Sequence, residues 1–123
     1  MRALLIVDHG SRRAEANQVL VAVEAMLRAE GTFPIVHHAH MELAGPTIAE
    51  AFDRCVGDGA TEIVVHPYFL GPGNHSRTDI PALVEAASQA HPQVRWRVTE
   101  PLGVHPKLCE IVLERAASEP AER

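Results

Sequence analysis

Hydrophobic residues along the chain form four short runs and four longer stretches with helical spacing, and the two kinds alternate. The short runs are RALLIVD (2–8), FPIVHHAHM (33–41), TEIVVHPYFL (61–70) and VRWRV (94–98). The helical stretches cover residues 13–30 and begin again near residues 47, 79 and 106. Since strands and helices alternate along the whole chain, the pattern predicts an α/β fold with a parallel sheet and helices on both faces.

Each predicted helix carries a stripe of apolar residues that we expect to face the sheet. The four stripes are Ala16, Val19, Leu20, Val23, Met26 and Leu27; then Ile48, Ala51, Phe52 and Cys55; then Ile80, Leu83, Val84 and Ala87; and finally Leu108, Ile111 and Val112. Thr47 and Glu50 have the spacing of a capping box, and Asp79 suits an N-cap position. Cys55 and Cys109 have no CxxC spacing, so we expect both to be small buried core residues.

The composition of the strands predicts their order in the sheet. The first and third runs are almost continuously apolar, which is typical of strands buried on both faces. The second run contains Pro34 and three histidines, and the fourth alternates apolar with polar residues, as edge strands do. The prediction is a single three-layer domain with strand order 2-1-3-4. In that order the carboxyl ends of strands one and three flank a topological switch point, where open α/β sheets bind ligands.

Length and charge narrow the class of protein. The chain has 123 residues, which fits one domain over residues 1–118 with a frayed tail at 119–123. A formal net charge of −5 argues against nucleic-acid or anionic-membrane binding. The sequence has no apolar run long enough for a membrane span and no evident signal peptide, so we expect a cytoplasmic protein.

Histidines and a carboxylate follow the strands that flank the predicted crevice. His9 follows strand one, Glu42 follows strand two, and His75 lies in the loop after strand three. Two imidazoles and one carboxylate would form a divalent metal site with open positions. Each residue taken alone is equally compatible with a helix cap or a solvated loop, so the residues leave that choice open.

Strand two itself carries His37, His38 and His40. The strand period of two places His38 and His40 on one face and His37 on the other. We interpret the three as half-buried polar residues of an edge strand. His40 is nearest the carboxyl end and is the one expected to approach the crevice.

Basic residues lie in the same two loops. Arg12, Arg13 and Arg77 suggest an anionic ligand, because guanidinium groups pair with carboxylates or phosphates. Gly10 and Ser11 at a helix start offer backbone N–H groups to an anion. The segment is neither a P-loop nor a GxGxxG motif, so we predict no nucleotide. A phosphate-binding α/β domain remains an alternative.

Four segments together resemble a known family: HGSRR with Asn17, MELAGPTI, VVHPYFLGPGNHSRTDIP and PLGVHPKLCEIVLER. They are similar to the sirohydrochlorin chelatases of the short CbiX type. The resemblance implies ATP-independent insertion of Co²⁺ or Fe²⁺, and in some relatives Ni²⁺, into sirohydrochlorin for cobalamin or siroheme biosynthesis. It also implies a homodimer, because a short chain resembles one half of the two-part chelatase fold.

The resemblance also assigns roles to residues. The family's metal-binding histidines match His9 and His75, which are then also the candidate proton acceptors, and its acidic ligand matches Glu42. Ser11, Arg12, Arg13 and Arg77 are the expected contacts for the carboxylates of the macrocycle. The alternative is a metal or tetrapyrrole carrier without turnover.

Overall fold

Strands and helices alternate in the computed structural model, which describes residues 1–73 and 78–119. The elements are β1 (Arg2–Asp8), α1 (Ala14–Glu30), β2 (Ile35–His40), α2 (Ile48–Gly57), β3 (Glu62–Pro67), α3 (Ile80–Ser88), β4 (Arg95–Val98) and α4 (Pro106–Ala117). All strand pairs are parallel and the order is β2-β1-β3-β4. The predicted fold class and strand order are therefore confirmed. The division at residue 118 stays a prediction, and residues 120–123 lie outside the described part.

The main core lies between the sheet and the helices α2 and α3. Alternate residues of β1 and β3, such as Leu5 and Val65, point to this face because strand side chains alternate. Phe52 of α2 is fully buried against them.

The predicted capping box at the start of α2 is present. Glu50 Oε1 accepts from the Thr47 N–H at 2.9 Å, and this bond lowers the pKa of Glu50.

The predicted stripe of α3 is mostly confirmed. Ile80, Val84 and Ala87 are buried, whereas Leu83 is 41% exposed because it lines an open hollow at the carboxyl edge of the sheet. Asp79 occupies the N-cap position, but its side chain does not cap the helix. Its backbone is helical rather than extended, which turns the side chain away from the usual capping geometry.

The opposite face of the sheet is less well covered. Of the described helices, α1 alone packs extensively there, and only Leu20 and Glu24 of α1 are buried. The predicted α1 stripe is therefore wrong for Ala16, Val19 and Met26, which are exposed. The reason is that no second described helix lies beside α1 to cover that flank.

Helix α4 departs furthest from the prediction. None of its 12 residues, all of them described, is buried. Ile111 is 47% and Val112 64% exposed, so the expectation that they face the sheet is wrong. Cys109 is exposed as well, which contradicts its predicted burial.

Within the described ranges, no helix has the length and hydrophobicity to cross a membrane.

The two thiols should differ sharply in reactivity. Burial raises the pKa of Cys55 to about 12, so roughly one ten-thousandth of it is thiolate at pH 8. In a Cys109→Ser variant, we expect no reaction with a disulfide-exchange reagent such as DTNB until the protein is denatured. Prompt labelling of the native variant would contradict the burial of Cys55.

Candidate metal and substrate site

The site begins where the pairing of β1 and β2 continues past the ends of the strands. Asp8 and His40 are paired in register as the last residues of their strands. Beyond them, Met41 N–H donates to Asp8 O at 3.0 Å and Glu42 N–H donates to His9 O at 3.2 Å. The two loops therefore leave the sheet side by side. The bond between their backbones places His9 next to Glu42.

Gly10 allows this close approach. Its φ is +93°, a backbone conformation that side chains disfavour. A Cβ atom built on it would lie 1.9 Å from the carbonyl oxygen of Glu42. Because that oxygen belongs to backbone, it cannot rotate away as a side chain would. Glycine is thus required for the two loops to meet.

His9 and Glu42 form a solvent-accessible pair at this edge. His9 Nε2 lies 3.1 Å from Glu42 Oε1, and the side chains are 43% and 58% exposed. His9 Nδ1 lies 3.3 Å from Gly10 O. A proton on Nε2 bonds this nitrogen to Glu42 Oε1, and loss of that proton leaves both atoms available to a cation in the same space.

A second pair of a histidine and a carboxylate, His40 and Asp8, lies behind His9 and Glu42. His40 is 1% exposed, and its Nδ1 lies 2.5 Å from Asp8 Oδ1. His38 shares this face, as predicted, with its ring 5.5 Å from that of His40 and its Nδ1 3.2 Å from Glu24 Oε1. His40 is fully buried rather than half-buried, because Asp8 satisfies it.

His37 lies on the opposite face of β2, also as predicted, where its Nε2 is 2.6 Å from Asp58 Oδ2. The structure thus separates the three histidines of the strand by environment. His38 and His40 belong to the α1 side of the sheet, behind the crevice. His37 contacts Asp58, which directly follows α2, and is remote from the crevice.

Two open hollows meet at the His9–Glu42 pair. One, of about 280 Å³, is lined by Asp8, His9, Gly10, Ser11, Ala16, Asn17, Tyr68 and Phe69. The other, of about 320 Å³, is lined by Met41, Glu42, Asp79, Ala82 and Leu83. Asp8 and Asp79 bring carboxylates that the sequence analysis did not assign. The signal for Asp8 was its place at the end of a central strand, opposite His40 in register.

The HGSRR loop is held by Asn17. Ser11 N–H donates to Asn17 Oδ1 at 3.0 Å, and Asn17 Nδ2 donates back to Ser11 O at 2.8 Å. Arg13 N–H donates to Ser11 Oγ at 3.0 Å. Because the Ser11 N–H is already bonded, the expectation that it would receive an anion is wrong. Arg12 and Arg13 are exposed beside the hollow, so the basic rim remains.

His75 and Arg77 lie outside the described residues, within the segment 74–77. Among the residues that the structure does describe, no group of three histidine, cysteine or acidic side chains is close enough to hold a metal. The described part of the site therefore supplies two prospective ligands, His9 and Glu42.

The backbone contact at Gly10 can be tested by substitution. Gly10→Ala adds a Cβ atom where the Glu42 carbonyl stands and imposes a strained φ, so we expect a loss of about 1–3 kcal/mol in unfolding free energy. Gly57→Ala is the matched control, since a Cβ atom there meets no atom within 4 Å. Urea unfolding followed by circular dichroism measures both. Equal stability of the two variants would contradict the proposed constraint.

Comparison with known proteins finds relatives that match almost the whole chain. The model of the CbiX family matches residues 3–119. The chain is 46% identical over 112 residues to "Sirohydrochlorin ferrochelatase, chloroplastic" of Arabidopsis thaliana, covering 91% of this chain and 50% of that protein.

Solved structures agree with the sequence comparison. "SirB from Bacillus subtilis with Fe3+" superposes with a TM-score of 0.88 at 32% identity, covering 98% of this chain and 49% of that one. The sirohydrochlorin chelatase SirB from Bacillus subtilis subspecies spizizenii, in complex with cobalt, gives a TM-score of 0.87 at 33% identity, with 94% and 49% covered. The chain spans about half the length of these three proteins.

Proposed function

The chain belongs to the CbiX family, and we propose that it is a chelatase that inserts Co²⁺ or Fe²⁺ into sirohydrochlorin without a nucleotide. The observation that carries the proposal is the solvent-accessible pair of His9 and Glu42 at the carboxyl edge of the sheet. The relatives named above support the substrate, and the SirB structures with Fe³⁺ and cobalt support the metals. The product would serve cobalamin or siroheme biosynthesis.

The distance between the two prospective ligands supports metal binding. Nitrogen and oxygen ligands lie about 2.0–2.2 Å from a divalent ion such as zinc, so two neighbouring ligands on one ion are roughly 3.0–3.5 Å apart. His9 Nε2 and Glu42 Oε1 are 3.1 Å apart, within that range. His75 is proposed as the third ligand on the sequence resemblance alone. A site with three protein ligands leaves positions open for the pyrrole nitrogens.

Histidines at this position also suit the acid–base part of the reaction. As the metal enters the macrocycle, pyrrole protons leave and need an acceptor. His9 and His75 are proposed to exchange their metal for these protons. The carboxylate of Glu42 would hold the incoming cation until that exchange. The buried His40 positions Asp8 in the wall of the hollow, where this carboxylate would add negative charge near a bound metal ion.

The rim of the site fits a substrate that carries several carboxylates. Arg12 and Arg13 are exposed next to the hollow, and Arg77 is proposed to join them. The Ser11 hydroxyl accepts from Arg13 N–H, which leaves its own proton for a substrate carboxylate. These four residues are the proposed substrate contacts.

The size of the hollows supports a homodimer. At about 280 and 320 Å³, both lie near the lower end of the range of about 300–1,000 Å³ for pockets that enclose small ligands, and a tetrapyrrole is much wider. A second copy facing the first would supply the missing wall.

Both cysteines are unpaired, as is usual in reducing compartments, and this supports a cytoplasmic setting.

Substitution of the metal pair tests the proposed activity. We expect His9→Ala to lower kcat/KM for metal insertion about a hundredfold or more, because it removes both a ligand and a proton acceptor. Glu42→Gln keeps the shape of the side chain and should cost about tenfold or more. The absorption spectrum of sirohydrochlorin after addition of Co²⁺ or Fe²⁺ measures the rate.

His37→Gln is the matched control, since His37 lies on the same strand but pairs with Asp58 away from the crevice. Its rate should stay near that of the unsubstituted protein. If the unsubstituted chain is no faster than the uncatalysed reaction, the chelatase proposal fails and a carrier role is favoured. Full activity of both His9→Ala and His75→Ala would overturn the site assignment instead.

The basic rim predicts a change in substrate affinity rather than in chemistry. Arg12→Ala and Arg13→Ala should each raise KM for sirohydrochlorin about two- to fivefold, as expected for exposed ion pairs, with kcat unchanged. Added salt should reduce the difference in KM between each variant and the unsubstituted protein, because salt screens exposed charges. Arg54→Ala, in the last turn of α2, is the control. An unchanged KM in both rim variants would remove the arginines from the substrate site.

A further inference from the structure

The two hollows beside the proposed metal pair are lined by negative charge alone. Asp8 lines one of them, Glu42 and Asp79 line the other, and neither lining contains an arginine or a lysine among the described residues. The exposed arginines of the HGSRR loop lie outside the two linings. The site is therefore sorted by charge, with carboxylates inside for a cation and guanidinium groups outside for an anionic macrocycle.

Asp8 is the carboxylate that a buried residue holds in place. Its Oδ1 accepts from the Nδ1–H of His40 at 2.5 Å, and His40 is 1% exposed. Because a carboxylate can only accept hydrogen bonds, His40 carries its proton on Nδ1. This bond uses one oxygen, and Asp8 Oδ2 has no hydrogen-bond partner among the described residues. The Asp8 side chain is 22% exposed where it lines the hollow of His9, so this second oxygen is available to a ligand there.

The stability of the fold does not account for this pair. Asp8 and His40 are register partners on the α1 face of the sheet, where the preceding residue on that face of β1, Ile6, is almost fully buried. Burying an imidazole costs free energy unless its polar atoms are bonded, and an apolar side chain at position 40 would avoid that cost. Replacing a buried polar or ionic pair by apolar residues of similar volume is often neutral or stabilising. A function in the adjacent hollow gives a reason for the pair.

Asp8 does not share direct coordination of one ion with His9 and Glu42. In the described ranges, no three histidine, cysteine or acidic side chains come close enough to hold a metal. A divalent ion arrives from solution with a shell of water ligands, whose hydrogens point away from the ion. A carboxylate can accept hydrogen bonds from these water ligands, and a water-mediated contact is nearly as favourable as a direct one. Asp8 therefore suits an ion that still carries its water.

We propose that Asp8, fixed by His40, binds the hydrated divalent cation through the water ligands of the ion and delivers it to His9 and Glu42. Asp8 is then a further metal-binding residue, and His40 is its positioning residue. This inference rests on the proposed function, because the ion is the one that the chain would insert. An ion held through water keeps its own coordination positions exchangeable, as an ion that must pass to a second set of ligands requires.

Asp8→Asn removes the charge and keeps the bond, because the amide oxygen of asparagine still accepts from His40 Nδ1–H. We expect it to raise the dissociation constant of Co²⁺ about tenfold, as loss of an outer partner of a metal does. Calorimetric titration with Co²⁺ alone measures this constant. In the insertion assay, KM for Co²⁺ should rise similarly while KM for sirohydrochlorin stays unchanged. Asp58→Asn is the matched control, since it removes a histidine-bonded carboxylate on the opposite face of β2 and should bind Co²⁺ normally.

The visible absorption spectrum of bound Co²⁺ separates a water-mediated contact from a direct one. Its bands depend on the atoms bound directly to the ion and on their geometry. At saturating Co²⁺, Asp8→Asn should therefore keep the spectrum of the unsubstituted protein, whereas Glu42→Gln should change it. A changed spectrum in Asp8→Asn would make Asp8 a direct ligand and overturn the water-mediated role.

A double-mutant cycle tests whether His40 acts through Asp8. His40→Phe keeps a buried ring but removes the donor, so Co²⁺ affinity should fall, although less than in Asp8→Asn. Adding His40→Phe to Asp8→Asn should then cause little further loss, because the residue that His40 positions has already lost its charge. His40→Gln, whose amide can donate to Asp8, should recover part of the affinity. Fully additive losses would overturn the positioning role of His40.

The outcomes distinguish this inference from the proposed function. If the unsubstituted chain inserts Co²⁺ and Asp8→Asn, with a native circular dichroism spectrum, binds Co²⁺ equally tightly, the role of Asp8 fails while the chelatase proposal stands. If Asp8→Asn weakens Co²⁺ binding but the unsubstituted chain catalyses no insertion, cation binding by Asp8 stands and the chelatase proposal fails. If Asp8→Asn does not fold, His40→Phe decides the question, because an unchanged Co²⁺ affinity in that variant would overturn the inference.

Discussion

The close contact between Gly10 and the backbone of Glu42 fixes the spacing of the two loops that carry the prospective ligands His9 and Glu42. The loop after β1 leads into α1 on one face, and the loop after β2 leads into α2 on the other. Left alone, the two loops would diverge immediately beyond the strands. Two further ladder bonds, from Met41 to Asp8 and from Glu42 to His9, hold them together for another step, and a side chain at position 10 would displace them. As a result the His9–Glu42 pair lies between two hollows, one lined by His9 and the other by Glu42.

Much of this site could be predicted because the hydrophobicity of each strand indicates its position in the sheet. Continuous apolar runs mark β1 and β3 as central, and the polar second run marks β2 as an edge. Since all strands are parallel, residues that directly follow β1 and β2 must lie close together, whatever their side chains do. That reasoning is sufficient to bring His9 near Glu42. It says nothing about the hydrogen bonds inside the loop, and the Ser11 N–H that the sequence predicts to be available to an anion donates instead to Asn17 Oδ1.

The failures have a common physical cause. An apolar stripe shows that a helix has a face to bury, but it does not identify what that face meets. The stripe on α2 and that on α4 look alike in sequence, yet Phe52 is fully buried and Val112 is largely exposed. The difference arises from the connection before α4, where two backbone bonds to the extension of β3 direct the helix outward. Backbone bonds of this kind leave no residue pattern, so Cys109 was placed in a core that its helix does not join.

In the proposed reaction, the same pair of side chains must both take up the metal and give it away. His9 and Glu42 already contact each other at 3.1 Å, so an arriving cation replaces an existing interaction instead of relieving two isolated groups. That competition lowers the net gain from binding. The high exposure of both side chains lowers it further, because water competes for the ion and screens the carboxylate. An accessible, partly self-satisfied pair is therefore better suited to a transferred ion than to a structural one, whose ligands would form a closed shell.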